Sequence, residues 1–147
     1  MAFVEEHYGP GVDGINAATE RFVLEIDGVA SGMFQRYRNR DHADWVAAIN
    51  DRDGAGIDYL IGDVAMTGRG IGSAAIGAFT VDTFAAYPEV PRVMAAPQQS
   101  NVASWRALEK AGFHRVWAGQ LDSDDPSDAG PAFLYVAQRV VEPAPAP

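Results

Sequence analysis

Three glycines in the segment MTGRGIGSAAIG, residues 66–77, constrain the fold of this 147-residue chain more than any other feature. Glycine is a poor helix former, yet Gly68, Gly70 and Gly72 stand directly before an apolar run with helical spacing. The first N–H groups of a helix lack partners within the helix, and glycine lets an anion approach them closely. The segment therefore fits either a phosphate-binding turn or a tight strand-to-helix turn. It matches neither a P-loop, which needs a lysine, nor the dinucleotide fingerprint G-x-G-x-x-G.

Composition narrows the functions open to the chain. Its length suits one domain, and the lack of cysteine excludes disulfides, thiolate metal sites and a cysteine nucleophile. A net charge of −9 argues against nucleic acid as a partner, and it suits either a cationic ligand or simply solubility. The three histidines show no metal-ligand spacing, so no metal site is expected. No apolar run approaches the roughly 18 residues of a membrane helix, and the N-terminus lacks a signal-peptide pattern, which predicts a cytoplasmic location without a membrane partner.

Turn signals and apolar periodicity predict the order of the elements. A hairpin is predicted around Asp27-Gly28, because this dipeptide stands between two apolar runs. A short buried strand over residues 56–63 precedes the glycines, and a helix over residues 71–86, with Val81 among its apolar positions, follows them. Ser100 is predicted to cap a second helix, which ends at Gly112. The other predicted elements are strands over residues 92–96, 113–121 and 131–141, a loop over residues 38–55 and a disordered Pro-rich tail over residues 143–147.

The glycine segment and the later stretch SNVASWRALEKAGF, residues 100–113, stand in an order and spacing that resemble the GNAT superfamily of N-acyltransferases. In that superfamily a loop of form Q/R-x-x-G-x-G/A binds the pyrophosphate of acyl-coenzyme A. A later helix begins near Asn and ends in E-K-x-G-F. The chain is especially similar to the aminoglycoside 6'-N-acetyltransferases, and it also resembles the lysine N-acyltransferases of siderophore synthesis. The resemblance runs from about Phe22 to Val140.

This resemblance implies an α/β (α+β) fold of the GNAT type in a single domain, residues 1–142. The sheet is expected to be mixed and mostly antiparallel, with a central parallel strand–helix–strand unit and helices on both faces. Because little chain precedes residue 20, the N-terminal strand and helix region of the family is expected to be short or missing, with room for little more than the end of a helix. We expect a monomer or a homodimer.

The resemblance also assigns a site. It implies acetyl-CoA as co-substrate and a small cationic amine, such as an aminoglycoside 6'-amine, as the acceptor in a ternary complex. The strand before the glycines is expected to diverge from its neighbour, so that the pantetheine arm lies in the gap and strand N–H groups polarise the thioester carbonyl. The residues implied to bind acetyl-CoA are Leu60, Ile61, Gly62, Thr67, Gly68, Arg69, Gly70, Ile71, Gly72, Ser73 and Asn101. Arg69 is equally consistent with a solvated loop side chain, and Asn101 with a helix cap.

Asp58 is the predicted catalytic base. Strand alternation puts Asp58 and Leu60 on one face and Tyr59 on the other, and a carboxylate within a buried strand costs free energy unless it is paired or functional. The resemblance implies that Asp58 binds the ammonium group and accepts its proton; the alternative is a carboxylate held by backbone donors. Trp45 and Asp53 are further candidates for acceptor binding, through stacking and charge, against plain roles in packing and solvation.

Two positions depart from the family pattern. Many members place a tyrosine, which protonates the leaving thiolate, where this chain has Leu108. A carboxylate that precedes the Ser-Asn pair in the aminoglycoside enzymes is replaced by Ala96. Three alternatives therefore stay open beside the aminoglycoside reading. They are a lysine-like acceptor of the siderophore type, a degenerate module that binds acyl-CoA without turnover, and an incomplete chain that exposes an apolar face.

Overall fold

The predicted hairpin at Asp27-Gly28 is present. The computed structural model describes residues 1–6, 19–62, 70–121 and 130–140. Asp27 and Gly28 both have positive φ, 51° and 78°, as the central residues of a type I′ turn do. The described strands are β1 (Ala2–Glu5), β2 (Thr19–Ile26), β3 (Val29–Arg38), β4 (Ala55–Ile61), β5 (Arg92–Ala95), β6 (His114–Leu121) and β7 (Gly130–Gln138). The described helices are α1 (Ala43–Ile49), α2 (Ile71–Ala86) and α3 (Val102–Lys110), with a 3-10 turn at Asn39–Asp41.

These strands form one mixed sheet in the order β1-β2-β3-β4-β5-β7-β6. Every neighbouring pair is antiparallel except β4 and β5, which are parallel. Helix α2 connects these two parallel strands, which confirms the predicted strand–helix–strand unit within a mostly antiparallel sheet. β7 lies between β5 and β6, so β6 forms one edge of the sheet and β1 the other.

Helices pack on both faces of the sheet, as predicted. On the face that we call the helix face, α2 and α3 cover a core in which the Phe79 ring lies 4.9 Å from that of Phe34 and 5.4 Å from that of Phe22, centroid to centroid. On the opposite face, α1 packs against Met94 and its neighbours on β7. No described helix covers β1–β4 on that side, which we call the open face, and Leu60 is 74% exposed there.

The predicted loop over residues 38–55 was wrong, because this segment contains the 3-10 turn and helix α1. The segment folds around Asn39, which is fully buried. The Asn39 amide donates to the Asp51 carbonyl at 3.1 Å and accepts from the Trp45 indole N–H at 3.0 Å. Helix α1 has only seven residues, and Trp45 and Ile49 are its one i, i+4 pair that packs against Met94. So short a pattern does not identify a helix in the sequence.

Three smaller predictions are also corrected. Residues 2–5 pair with β2 as a strand rather than ending a helix. Asn101, not Ser100, caps α3, because its side chain accepts a hydrogen bond from the Ser104 N–H at 3.3 Å. Val81 is 70% exposed, since it lies two residues after the inward Phe79 and thus roughly 200° around the helix. Thr67, Gly68, Arg69 and the tail over residues 143–147 lie outside the described residues.

Candidate active site

The parallel strands β4 and β5 separate after two register pairs. Ala55 pairs with Val93 and Gly56 with Met94, after which β4 continues to Ile61 paired only with β3. This confirms the predicted divergence of the two strands. The cleft between them has a volume of about 470 Å³. It is lined by Gln35, Ile57, Asp58, Tyr59, Leu60, Ala95, Ala96, Pro97, Gln98, Asn101 and Ser104.

The main-chain N–H groups of β4 point alternately to β3 and into the cleft. The Gly62 N–H donates to the Ser31 carbonyl of the hairpin at 2.9 Å. Because N–H groups point to alternate sides along a strand, the N–H of Leu60 also points to β3, whereas those of Tyr59 and Ile61 point into the cleft. The N–H groups of Leu60 and Gly62 therefore face β3 rather than the cleft, and the roles of both residues in holding acetyl-CoA stay predictions. Ile61 presents the N–H that suits the polarisation of a carbonyl.

Helix α2 begins on the glycine segment for a conformational reason. Gly70 is its N-cap and has a φ of 68°, which a residue with a side chain adopts only with strain. The N–H groups of Ile71, Gly72 and Ser73 occupy the first turn, where no intrahelical acceptor precedes them. The Ser73 hydroxyl donates to the Gly70 carbonyl at 3.0 Å. No acidic residue lies in this first turn, so no carboxylate opposes an anion there.

Asp58 lies on the open face at the rim of the cleft, and its side chain is exposed. The prediction that burial makes this carboxylate costly was therefore wrong, although its predicted face is correct. Gln35, directly opposite on β3, donates from Nε2 to Asp58 Oδ2 at 2.8 Å. Sequence reasoning missed Gln35, because only the register of the two strands identifies it as the neighbour of Asp58.

A second, smaller pocket of about 220 Å³ lies on the open face beside the cleft. It shares four residues with the cleft, and Met33 and Arg21 extend it across β3 and β2. Asp58 is one of the four shared residues, so one carboxylate borders both spaces. The four shared residues are Gln35, Asp58, Tyr59 and Leu60.

Tyr59 points from β4 to the helix face, where its hydroxyl meets that of Ser104 on α3. The two oxygens are 2.6 Å apart, and either hydroxyl can be the donor. Burial raises the pKa of Tyr59 to about 12; the Ser104 hydrogen bond opposes this shift and the neighbouring Asp58 carboxylate adds to it. The ring stacks on Phe34 with centroids 5.4 Å apart. Sequence reasoning missed this pair, although Ser104 stands four residues before Leu108 and so on the same side of α3.

Asn101 is placed where it can serve both of the roles considered for it, a helix cap and a contact with acetyl-CoA. It caps α3 through the Ser104 N–H, and it also lines the cleft. Leu108 is fully buried in the helix-face core, so the position of the family tyrosine is here a packing residue. Ala96 lines the cleft and brings no charge to it.

The structure does not bring Trp45 or Asp53 together with Asp58. Trp45 packs on Met94 and donates to Asn39. Asp53 is exposed and lines a separate pocket with Arg38 and Arg52, next to the start of β4. Their roles in acceptor binding stay predictions.

Neither a metal centre nor a membrane span occurs in the described part of the chain. Within residues 1–6, 19–62, 70–121 and 130–140, no three His, Asp or Glu side chains are grouped so as to hold a metal ion. None of the described helices is both long and apolar enough to cross a bilayer.

Two parallel strands that diverge, joined by a helix that starts on glycine, are the central unit expected of the GNAT class of fold. Residues 4–121 match the acetyltransferase (GNAT) domain model, and the chain belongs to this family.

Two groups of relatives are similar to the chain. It is 31% identical over 140 residues to an aminoglycoside N(6')-acetyltransferase type 1 of Klebsiella pneumoniae, covering 95% of this chain and 66% of that protein. It thus spans just under two thirds of that relative. It is 32% identical over 95 residues to a kanamycin resistance protein of Rhizobium radiobacter, covering 65% of this chain and 82% of that protein.

Among solved structures, the aminoglycoside acetyltransferase AAC(6')-Ib in complex with coenzyme A and kanamycin superimposes with a TM-score of 0.70. The two chains are 27% identical, and the match covers 88% of this chain and 72% of that one. The similarity confirms the predicted GNAT fold.

Proposed function

We propose that the chain is an acetyl-CoA-dependent N-acetyltransferase that moves the acetyl group to a primary amine of a small cationic acceptor. The 6'-amine of an aminoglycoside is the acceptor that we favour. The observation that carries the proposal is the position of Asp58, which borders both the cleft between β4 and β5 and the pocket on the open face. Two adjoining spaces with a carboxylate between them suit direct transfer from one bound substrate to another.

The cleft suits the pantetheine arm of acetyl-CoA. Where β5 leaves β4, the main-chain groups of Tyr59 and Ile61 face the gap, so an arm with its own amide groups can pair with them as a neighbouring strand would. The first turn of α2, from Ile71 to Ser73, supplies N–H groups for the pyrophosphate. The cleft also narrows towards Ala55 and Gly56, where the strands pair, which limits how far an acyl group can extend.

The proposed reaction needs no covalent intermediate on the protein. The acceptor amine enters from the open face, where Asp58 binds its ammonium form. One proton passes to solvent before the attack, and Asp58 takes the second proton from nitrogen as the amide forms. The amine nitrogen forms a bond to the thioester carbon while the N–H of Ile61 stabilises the negative charge on the carbonyl oxygen. The carbon–sulfur bond then breaks, and coenzyme A leaves with the electron pair.

The proposal of an aminoglycoside acceptor is supported by the similar proteins and by the net charge of the chain. Two relatives are named for the acetylation of aminoglycosides or resistance to one of them, and a similar solved structure contains kanamycin. A net charge of −9 favours a cationic acceptor. A cytoplasmic location and a monomeric or homodimeric state also stay predictions.

The proposal is tested by coenzyme A release, followed with a thiol reagent. Purified protein receives acetyl-CoA together with a 6'-amino aminoglycoside, a matched 6'-hydroxy aminoglycoside or an N6-hydroxylysine. We expect release with the 6'-amino compound only. Release with the hydroxylysine alone would transfer the proposal to the siderophore-type acceptor. Absence of release with every amine, while calorimetry still detects acetyl-CoA binding, would leave a binding module without turnover.

A further inference from the structure

We propose that the paired hydroxyl groups of Tyr59 and Ser104 form the hydrogen-bond donor that stabilises the leaving sulfur of coenzyme A. The proposal rests on the proposed function. It assigns a catalytic role to Tyr59 and Ser104, neither of which occupies the position of the family tyrosine, which is Leu108 in this chain.

The first argument is the location of the pair. Tyr59 and Ser104 both line the cleft, yet they approach it from the helix face, whereas the adjacent Asp58 approaches it from the open face. A thioester held in the gap between β4 and β5 would therefore have the carboxylate on one side and the two hydroxyl groups on the other. The amine attacks from the side of the carboxylate, and the sulfur would depart towards the hydroxyl groups.

The second argument is a count of hydrogens. Two hydroxyl groups carry two hydrogens, and the 2.6 Å contact between them uses one, whichever group donates. The other hydrogen is not used by that contact, and both side chains line the cleft, so it can be donated to a group held there. A sulfur atom in the cleft would accept it.

The third argument is that the donor keeps its proton. Burial raises the pKa of Tyr59 to about 12, so the hydroxyl stays neutral at any physiological pH. A free thiol titrates near pH 8.5, so the proton stays on oxygen and the sulfur leaves as a thiolate that accepts a hydrogen bond. In the balanced step the ammonium form first loses one proton to solvent, and Asp58 takes the second proton from nitrogen as the carbon–nitrogen bond forms. The carbon–sulfur electron pair goes to sulfur, and the departed thiolate takes up a proton from solvent.

The fourth argument is rigidity. The Tyr59 ring stacks on Phe34, and Phe34 packs against Phe79 in the core. Ser104 is held on the first turn of α3, where its N–H donates to Asn101. Donors that are fixed before the reaction need no reorganisation when charge develops, and removal of one such donor typically costs about 10²-fold in rate.

The experiment compares Tyr59→Phe and Ser104→Ala with Tyr87→Phe. Tyr87 is a matched control, because it is a buried tyrosine whose hydroxyl donates to Glu20 at 2.9 Å, away from the cleft. Three quantities are measured for each variant. The first is kcat with acetyl-CoA and the best acceptor amine, and the second is the dissociation constant for acetyl-CoA. The third is the pH at which the thiol of bound coenzyme A ionises, followed by the ultraviolet absorbance of the thiolate.

We expect Tyr59→Phe to lower kcat by about 10²-fold, to leave the acetyl-CoA dissociation constant within threefold, and to shift ionisation of the bound thiol to higher pH. Ser104→Ala should act in the same direction, whereas Tyr87→Phe should change none of the three quantities. Unchanged kcat and unchanged thiol ionisation in Tyr59→Phe would overturn the proposal. If Tyr59→Phe does not fold, the same two outcomes for Ser104→Ala decide. If no amine is acetylated by the parent chain, the proposed function fails, but the thiol titration still decides whether the hydroxyl groups contact the sulfur.

Discussion

Gln35 and Asp58 lie directly opposite each other on antiparallel strands, and Gln35 Nε2 donates to Asp58 Oδ2 at 2.8 Å. Both side chains are on the open face, where the cleft meets the neighbouring pocket. The hydrogen bond restricts the rotamer of an otherwise exposed carboxylate. The orientation of the proposed base therefore depends on a residue of another strand.

Asp58→Asn tests the base itself. The amide keeps the shape of the side chain but accepts no proton, so kcat for amine acetylation should fall by about 10²- to 10⁴-fold. The dissociation constant for acetyl-CoA should change little, because the arm binds to strand backbone. Asp27→Asn is the matched control, since Asp27 is an exposed aspartate of the turn between β2 and β3 and asparagine tolerates its positive φ. Equal turnover by Asp58→Asn and the parent chain would remove Asp58 as the base.

Gln35→Met tests the orientation of the base. Methionine has a similar length but no N–H donor, so the Asp58 carboxylate gains rotational freedom. A hydrogen bond at an exposed site contributes about 1 kcal/mol, and we expect kcat to fall by roughly fivefold with the acetyl-CoA dissociation constant unchanged. Gln35→Asn, which retains an amide, should recover part of the loss. A larger effect on acetyl-CoA binding than on kcat would contradict a positioning role.

Tyr59 should make stability depend on pH in alkaline solution. Its pKa is raised from 10 to about 12 in the folded chain, so between these values the folded state binds more protons than the unfolded state. The free energy of unfolding then falls as pH rises, by at most about 1.4 kcal/mol per pH unit from this group. Urea unfolding of the parent chain and of Tyr59→Phe should show their stability difference constant below pH 10 and shrinking towards pH 12. A difference that does not vary over this range would contradict the raised pKa.

Two glycine-to-alanine substitutions should change the free energy of unfolding in opposite directions. A Cβ at Gly32 would lie 2.5 Å from the Leu60 carbonyl oxygen and 3.1 Å from the Ile61 Cα, and these backbone atoms cannot move without shifting β4. Gly32→Ala should lower the free energy of unfolding by about 1–3 kcal/mol and weaken acetyl-CoA binding. A Cβ at Gly77, within α2, would meet nothing within 4 Å. Gly77→Ala should therefore stabilise the chain by about 0.5–1 kcal/mol. Thermal melts and calorimetry measure both effects, and a neutral Gly32→Ala would show that β4 adapts.

The fold was predictable from the sequence wherever a local signal was strong. A few adjacent residues determine the Asp-Gly turn, the helix after the glycines and the end of α3 at Gly112. The strand that contains Asp58 was predicted with the correct faces but the wrong burial, because its burial depends on which helices cover each side of the sheet. Helix α1 was missed because its seven residues carry a single core-facing i, i+4 pair, Trp45 and Ile49, within a segment rich in polar and turn-forming residues.

The site was predictable only where it lies along one element. Asp58 and Ile61 follow from the order of residues in β4. Gln35 and Ser104 reach the same place from β3 and α3, through strand register and helix packing that no spacing in the sequence encodes. Trp45 and Asp53 were plausible by residue type, yet the fold directs one of them into packing and the other to a separate pocket.

The insertion of β7 between β5 and β6 has a consequence for folding during synthesis. β6 leaves the ribosome before β7, but its only neighbour in the described sheet is β7. β5 likewise has one side unpaired until β7 arrives. Two of the six strand pairings in the described sheet therefore cannot form until the last of the described strands has been synthesised. This late closure gives the cell's chaperones and proteases a period in which to act on the nascent chain.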